Sequence, residues 1–119
     1  CPHGILDPKV TYFDDMLGQA AAALINNFSG NTYYLNFLNN IAKLCDCSVD
    51  SMGQISNDIG YLFSDNAVTI DQASVDLVRE ENQEQVFKKH NVKDPTLQIE
   101  YAAQYIDGAS RKYKLYQID

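Results

Sequence analysis

Apolar positions along this chain follow two periods, one helical and one extended, and the changes between them mark out its elements. From residue 12 to 28 they fall at Phe13, Leu17, Ala20, Leu24 and Phe28, spacings of three and four that form a helical stripe. Thr11 and Asp14 stand in the capping-box relation, and Asp14 and Asp15 suit the positive end of the helix dipole. The run Ala20 to Ala23 lets a neighbour pack close, and Gly30 supplies the left-handed stop. Residues 32–38, TYYLNFL, are rich in aromatic and β-favouring types, with Tyr33, Leu35 and Phe37 on one face of a predicted strand.

A short apolar run at 58–63, bounded by turn residues, reads as a buried strand. Ser64-Asp65-Asn66 caps a helix over 67–80, in which Ile70, Ala73, Leu77 and Val78 keep helical spacing. A shorter helix over 84–90 ends in Lys88, Lys89 and His90, where positive charge meets the negative end of the dipole. Asp94-Pro95 opens a helix over 95–107, with Leu97, Tyr101 and Tyr105 as its stripe and Gly108 as its end. The last segment, 112–118, alternates Lys and Gln with Tyr and Leu as an edge strand does. Helix and strand alternate through most of the chain, which predicts one α/β domain over 1–119, a small mixed or parallel sheet covered by helices.

Composition narrows the function classes. With 45% hydrophobic and 21% charged residues, the 119-residue chain can bury a core of its own. A net charge of −7 with only nine Lys and Arg, none arranged in a stripe, argues against nucleic acid as a partner. No uninterrupted apolar stretch reaches membrane-span length, so no span is expected, and the cytoplasm is the expected compartment. No P-loop, dinucleotide-binding glycine fingerprint, nucleophile–base pair or zinc-protease helix is present.

The three cysteines carry the remaining chemistry. Cys45 and Cys47 flank Asp46 in a polar loop, and Cys1 stands directly before Pro2, as does the last cysteine of a bacterial ferredoxin run. Soft thiolates suit zinc, copper(I) and iron–sulfur clusters, which makes Cys1, Cys45 and Cys47 candidate metal ligands. A disulfide between Cys45 and Cys47 would close a very small, strained ring, so reduced thiols fit better. Asp46 raises the thiol pKa values unless a cation offsets it; two thiols held by packing alone are the plainer reading. His3 and His90 are the available nitrogen donors, and His90 is also explained as a helix-terminal dipole partner. Asp46, Asp58, Asp65 and Asp71 are expected to line a crevice at the end of the 58–63 strand, as ligand-binding groups do in open α/β sheets. Asp65 also has a simple role as helix cap. Asp71 is expected to be buried, hydrogen-bonded and able to meet a hard cation or a substrate donor.

The segments TYYLNFLNNIAKLCDC, NDIGYLFSDNAVTIDQASVDLV and LQIEYAAQYIDGASRKYKLYQI together resemble the C-terminal portion of a bacterial and archaeal family of uncharacterised iron–sulfur-centre proteins, a domain of unknown function. The resemblance covers almost the whole chain. Its most specific parts are the C-D-C triplet, the D-I-G strand and the S-D-x-x-x-x-D-Q-A-S helix start, with Asn66 where proline is usual and Thr69 where alanine is usual. It implies a metal or redox association without naming a reaction. It further implies that the chain is a C-terminal fragment beginning at the last ligand of a ferredoxin-like run, a 4Fe-4S cluster belonging to the full-length protein and zinc or nothing to this piece. The implied partners are a redox protein or the missing ferredoxin-like segment. Two alternatives stand beside this: a non-catalytic metal- or partner-binding module, and a surface protein lipidated on Cys1.

Overall fold

The computed structural model describes residues 13–28, 30–43, 53–91 and 94–118. Four helices and two strands follow in the order α1 (Phe13–Ile25), β1 (Tyr34–Leu38), β2 (Gly60–Ser64), α2 (Ala67–Asn82), α3 (Val86–Asn91) and α4 (Leu97–Tyr105). The chain is therefore of mixed α/β class, as the alternation predicts.

The sheet is a two-stranded antiparallel pair, with Tyr34 opposite Ser64, Asn36 opposite Leu62 and Leu38 opposite Gly60. A parallel pair needs a crossover, usually helical. Among the described residues between β1 and β2 there is no helix, and Ala42 instead bridges Gln54, continuing the antiparallel pairing past the strands. The predicted third strand over 112–118 is irregular chain. Side chains tie its beginning to α2: the Thr69 hydroxyl donates to the Ser110 carbonyl at 2.8 Å, Arg111 Nε to Gln72 Oε1 at 2.9 Å, and the Tyr113 hydroxyl to Asp76 Oδ2 at 2.9 Å. The segment thus crosses α2 and does not join the ladder.

Small residues decide how α1 packs. Gly18 and Ala22 are its buried positions, and a Cβ added at Gly18 would lie 2.7 Å from the backbone nitrogen of Ala102 in α4. Ala22, Val68, Ile99 and Ile106 form the core where α1, α2 and the α4 end meet, with Ile25, Val75 and Ala102 against it. Asn26 latches the ends of the two helices together, donating to the Tyr105 carbonyl at 2.9 Å and accepting from the Asp107 amide at 3.1 Å. The larger stripe expected to face inward points outward instead: Leu17, Leu24 and Phe28 are all exposed. At 100° per residue it is centred about 120° from the Gly18–Ala22 side, and only the small side admits so close an approach.

Asn66 caps α2, its Oδ1 accepting from the Thr69 amide at 3.0 Å. Before α4, the Asp94 carboxylate closes a turn by accepting from the Thr96 amide at 2.9 Å and the Thr96 hydroxyl at 2.7 Å, so the helix begins at Leu97 and not at Pro95. Its buried position is Ile99, while Tyr105 of the expected stripe is exposed. Gly30 and Gly108 take positive φ at the two stops predicted for them. Among the described residues, no helix is long and apolar enough to cross a membrane.

Candidate functional site

The C-D-C triplet falls in residues 44–52, outside the described residues, as do Cys1 and His3. The structure does show what holds the ends of that loop. Past β1 the chain enters through Asn40, at φ +50°, and leaves through Gln54 and Ile55. The Ile55 amide donates to the Ile41 carbonyl at 2.8 Å, and the Ile59 amide donates to the Leu38 carbonyl at 2.8 Å. Asp58 sits at the centre of this neck. Its Oδ1 accepts from the Asn40 amide at 2.6 Å and from Gln54 Nε2 at 3.3 Å, joining the entering and leaving strands through one carboxylate. Gln54 Nε2 also donates to the Ser56 carbonyl at 2.7 Å, and Ser56, buried, accepts from Asn82 of α2 at 2.7 Å. The described residues on either side of 44–52 are thereby joined to each other and to α2.

Asp58, Asp65 and Asp71 are not gathered into one crevice. Asp58 and Asp65 flank β2 at opposite ends, seven residues and about 23 Å apart along an extended chain. Both are exposed. Asp65 leaves the capping role to its neighbour Asn66 and lines a depression of about 410 Å³ with Phe28, Tyr33, Tyr34 and Asp107. Asp71 is exposed, contrary to the burial expected of it, because it lies just off the Val68–Ile70 side of α2 that faces the core. It does have a partner: Asn36 Nδ2 donates to Asp71 Oδ1 and to Ser74 Oγ, each at 2.9 Å. Asp71 also borders an apolar cleft of about 240 Å³ formed with Leu17, Ala21 and Ile99. The switch-point crevice argument belongs to parallel sheets, and this sheet is antiparallel.

Among the described residues no group of three or more His, Cys, Asp or Glu is placed to hold a metal ion, and His90 lies alone in that sense in the last turn of α3. The donor set bounds what the loop can take. A ferredoxin-type cluster uses four cysteine thiolates, and this chain has three. A cluster held only by cysteines of this chain therefore does not fit. A single soft ion held by Cys45 and Cys47 with two ligands from elsewhere does fit that chemistry.

The sheet has a second feature that the sequence signalled without assigning. Tyr33, Leu35, Phe37, Tyr61 and Phe63 all lie on the face away from α2 and are 52–70% exposed. The face toward α2 carries Tyr34, Asn36 and Ser64 beside Leu38 and Leu62. The common amphipathic arrangement, apolar inside and polar outside, is not kept here, since the largest apolar groups lie on the outer face. The shared face of Tyr33, Leu35 and Phe37 is legible in the alternation; which side it turns to is not. Comparison with models of protein families, with characterised proteins and with solved structures finds no match for this chain.

Proposed function

We propose that this chain is a metal-associated module of a redox protein of the iron–sulfur type, in which Cys45 and Cys47 bind a soft metal ion in a segment whose two flanks are pinned together. The observation that supports the reading is the neck: one carboxylate, Asp58, bonded to both the entering and the leaving strand. Pinning both flanks of residues 44–52 limits the freedom of the chain between them, which lowers the ordering cost when an ion gathers two thiolates with ligands from elsewhere. The D-I-G triplet of the resemblance coincides with this neck, and the reduced thiols it needs suit the cytoplasm. An intact iron–sulfur cluster would draw further cysteines from a ferredoxin-like segment or a redox partner. Cys1 would contribute to it, and Asp46 would lie beside the metal.

The test is uptake of Zn(II), and of Fe(II) without oxygen, by the purified chain and by its Cys45→Ser/Cys47→Ser variant, followed by equilibrium dialysis and metal analysis. The expected result is one ion or fewer per chain, lost in the double variant, with circular dichroism unchanged. Equal uptake by both proteins, or close to four iron and four sulfide per chain, would overturn the assignment. A second reading, a module that recruits a partner and holds no metal, draws on a separate observation, the outward aromatic face of the sheet.

A further inference from the structure

We infer that the outward face of the β1–β2 sheet is a docking surface for a protein segment that carries a short apolar run next to a lysine or arginine, its cation seated between Asp65 and Asp107. The apolar part of the surface is built from cross-strand neighbours. Leu35 pairs with Phe63 and Phe37 with Tyr61, while the Tyr33 ring stacks on Phe63 at 5.4 Å between centroids and Phe37 meets Tyr61 edge to face at 5.1 Å. These rings therefore hold one another in place before anything binds, which lowers the ordering cost of association. All five side chains are more than half exposed, and a contiguous apolar patch of this kind marks an interaction site.

Charge selects the occupant. Residues 30–42 and 53–78 contain no Lys or Arg, while Asp58, Asp65, Asp71 and Asp76 lie within them. At the β1 entrance the aromatic face runs through Tyr33 into the depression of about 410 Å³, whose lining includes two carboxylates, Asp65 and Asp107, two further rings, Phe28 and Tyr34, and no cation. Carboxylates beside aromatic faces suit an ammonium or guanidinium group, which gains from both. Single-stranded nucleic acid, which stacks on aromatic sheets elsewhere, would set its phosphates against these acids with no lysine or arginine on the sheet to offset them. A second copy of this chain would bring the same acidic rim and another net charge of −7 against the first. A basic-flanked apolar segment meets neither objection. This inference does not depend on metal at the C-D-C loop.

The experiment is selection of a displayed library of random twelve-residue peptides on the immobilised chain, with counter-selection on a Phe37→Ser/Phe63→Ser variant. Outward side chains leave the core untouched, so this variant should keep its circular dichroism while losing the two ring–ring contacts; Asp65→Asn, which deletes no apolar contact, provides an independent variant. The expected result is enrichment of peptides with an apolar run beside Lys or Arg. A synthetic copy of the enriched peptide should bind at least tenfold more weakly to the double aromatic variant and to Asp65→Asn/Asp107→Asn, and more weakly in raised salt. No enrichment above counter-selection, enrichment of peptides without basic residues, or equal binding to the variants would overturn the proposal. So would a sedimentation dimer dissolved by Phe37→Ser, or oligothymidine binding lost in the same variant, which would give the face to a second copy or to nucleic acid.

Discussion

In the Asp58-Ile59-Gly60 triplet the carboxylate clips the loop neck while Gly60 takes φ +136°, a conformation L side chains rarely adopt, as β2 begins. The motif thus has a role at the scale of single residues in backbone geometry. Asp94 gives a second local device. The Thr96 amide and then its hydroxyl hold the Asp94 carboxyl below the usual carboxylate range. A lowered folded value contributes stability that is present above the unfolded pKa of about 3.9 and is lost as pH falls through the folded one. Asp94→Ala should therefore cost about 1 kcal/mol at neutral pH and flatten the acid side of the stability profile, as measured by urea unfolding across pH. Tyr113 behaves in the opposite sense. Desolvation, with the Asp76 carboxylate accepting from its hydroxyl, pushes the phenol up to about 12. The contact is fully kept below the ordinary tyrosine value near 10 and weakens as pH rises toward the folded value. Ultraviolet titration should show a late tyrosine phase, to which Tyr105, raised by its bond to the Asp15 carboxylate, also contributes, and Tyr113→Phe should diminish that phase.

At the scale of elements, α1 shows what periodicity can and cannot tell. The spacing of Phe13, Leu17, Leu24 and Phe28 marks a helix correctly, and the alanine run announces a close neighbour. The inward face, however, is chosen by approach distance to α4, which favours Gly18 and Ala22 over larger side chains. Periodicity reports that a stripe exists; a partner decides which side is used. The strands repeat the lesson, since alternation grouped Tyr33, Leu35 and Phe37 correctly but could not turn them toward or away from α2. The acids near β2 were legible as unusual, yet their separate tasks rest on contacts with Asn40, Gln54 and Asn36 that no local pattern announces. The antiparallel connection was hidden because the helices around it suggested crossovers. Gly18 offers the sharpest test. Glycine to alanine inside a helix ordinarily gains up to about 1 kcal/mol, but a Cβ 2.7 Å from backbone cannot be accommodated by a side-chain rotation. The clash should win, and Gly18→Ala should destabilise the chain by roughly 1 to 3 kcal/mol in denaturant titration.

Over the whole molecule, apolar side chains among the described residues remain in solvent on the sheet's outer face, at Leu17, Leu24 and Phe28, and along the last segment at Leu115, Tyr116 and Ile118. A chain whose core rests on small and medium residues, with no large side chain fully buried among those described, leaves much of its hydrophobic surface exposed. The sheet adds a further consequence. Among the described residues it has two strands, so each strand has an open edge, and the stretch TYYLNFL beside one of them carries no charge and no proline. Such a strand is a template for its own kind, and natural proteins usually guard it with lysine or a bulge. Here the guard is collective, the mutual repulsion of molecules with a net charge of −7. Acidification toward the carboxylate range should remove it and let the strands recruit one another into cross-β fibrils, seen as a rise in thioflavin T fluorescence. A lysine in place of Leu35 should delay that rise and leave the monomer's fold intact, because the guard would then sit on the strand itself and no longer depend on the charge of the solution species as a whole.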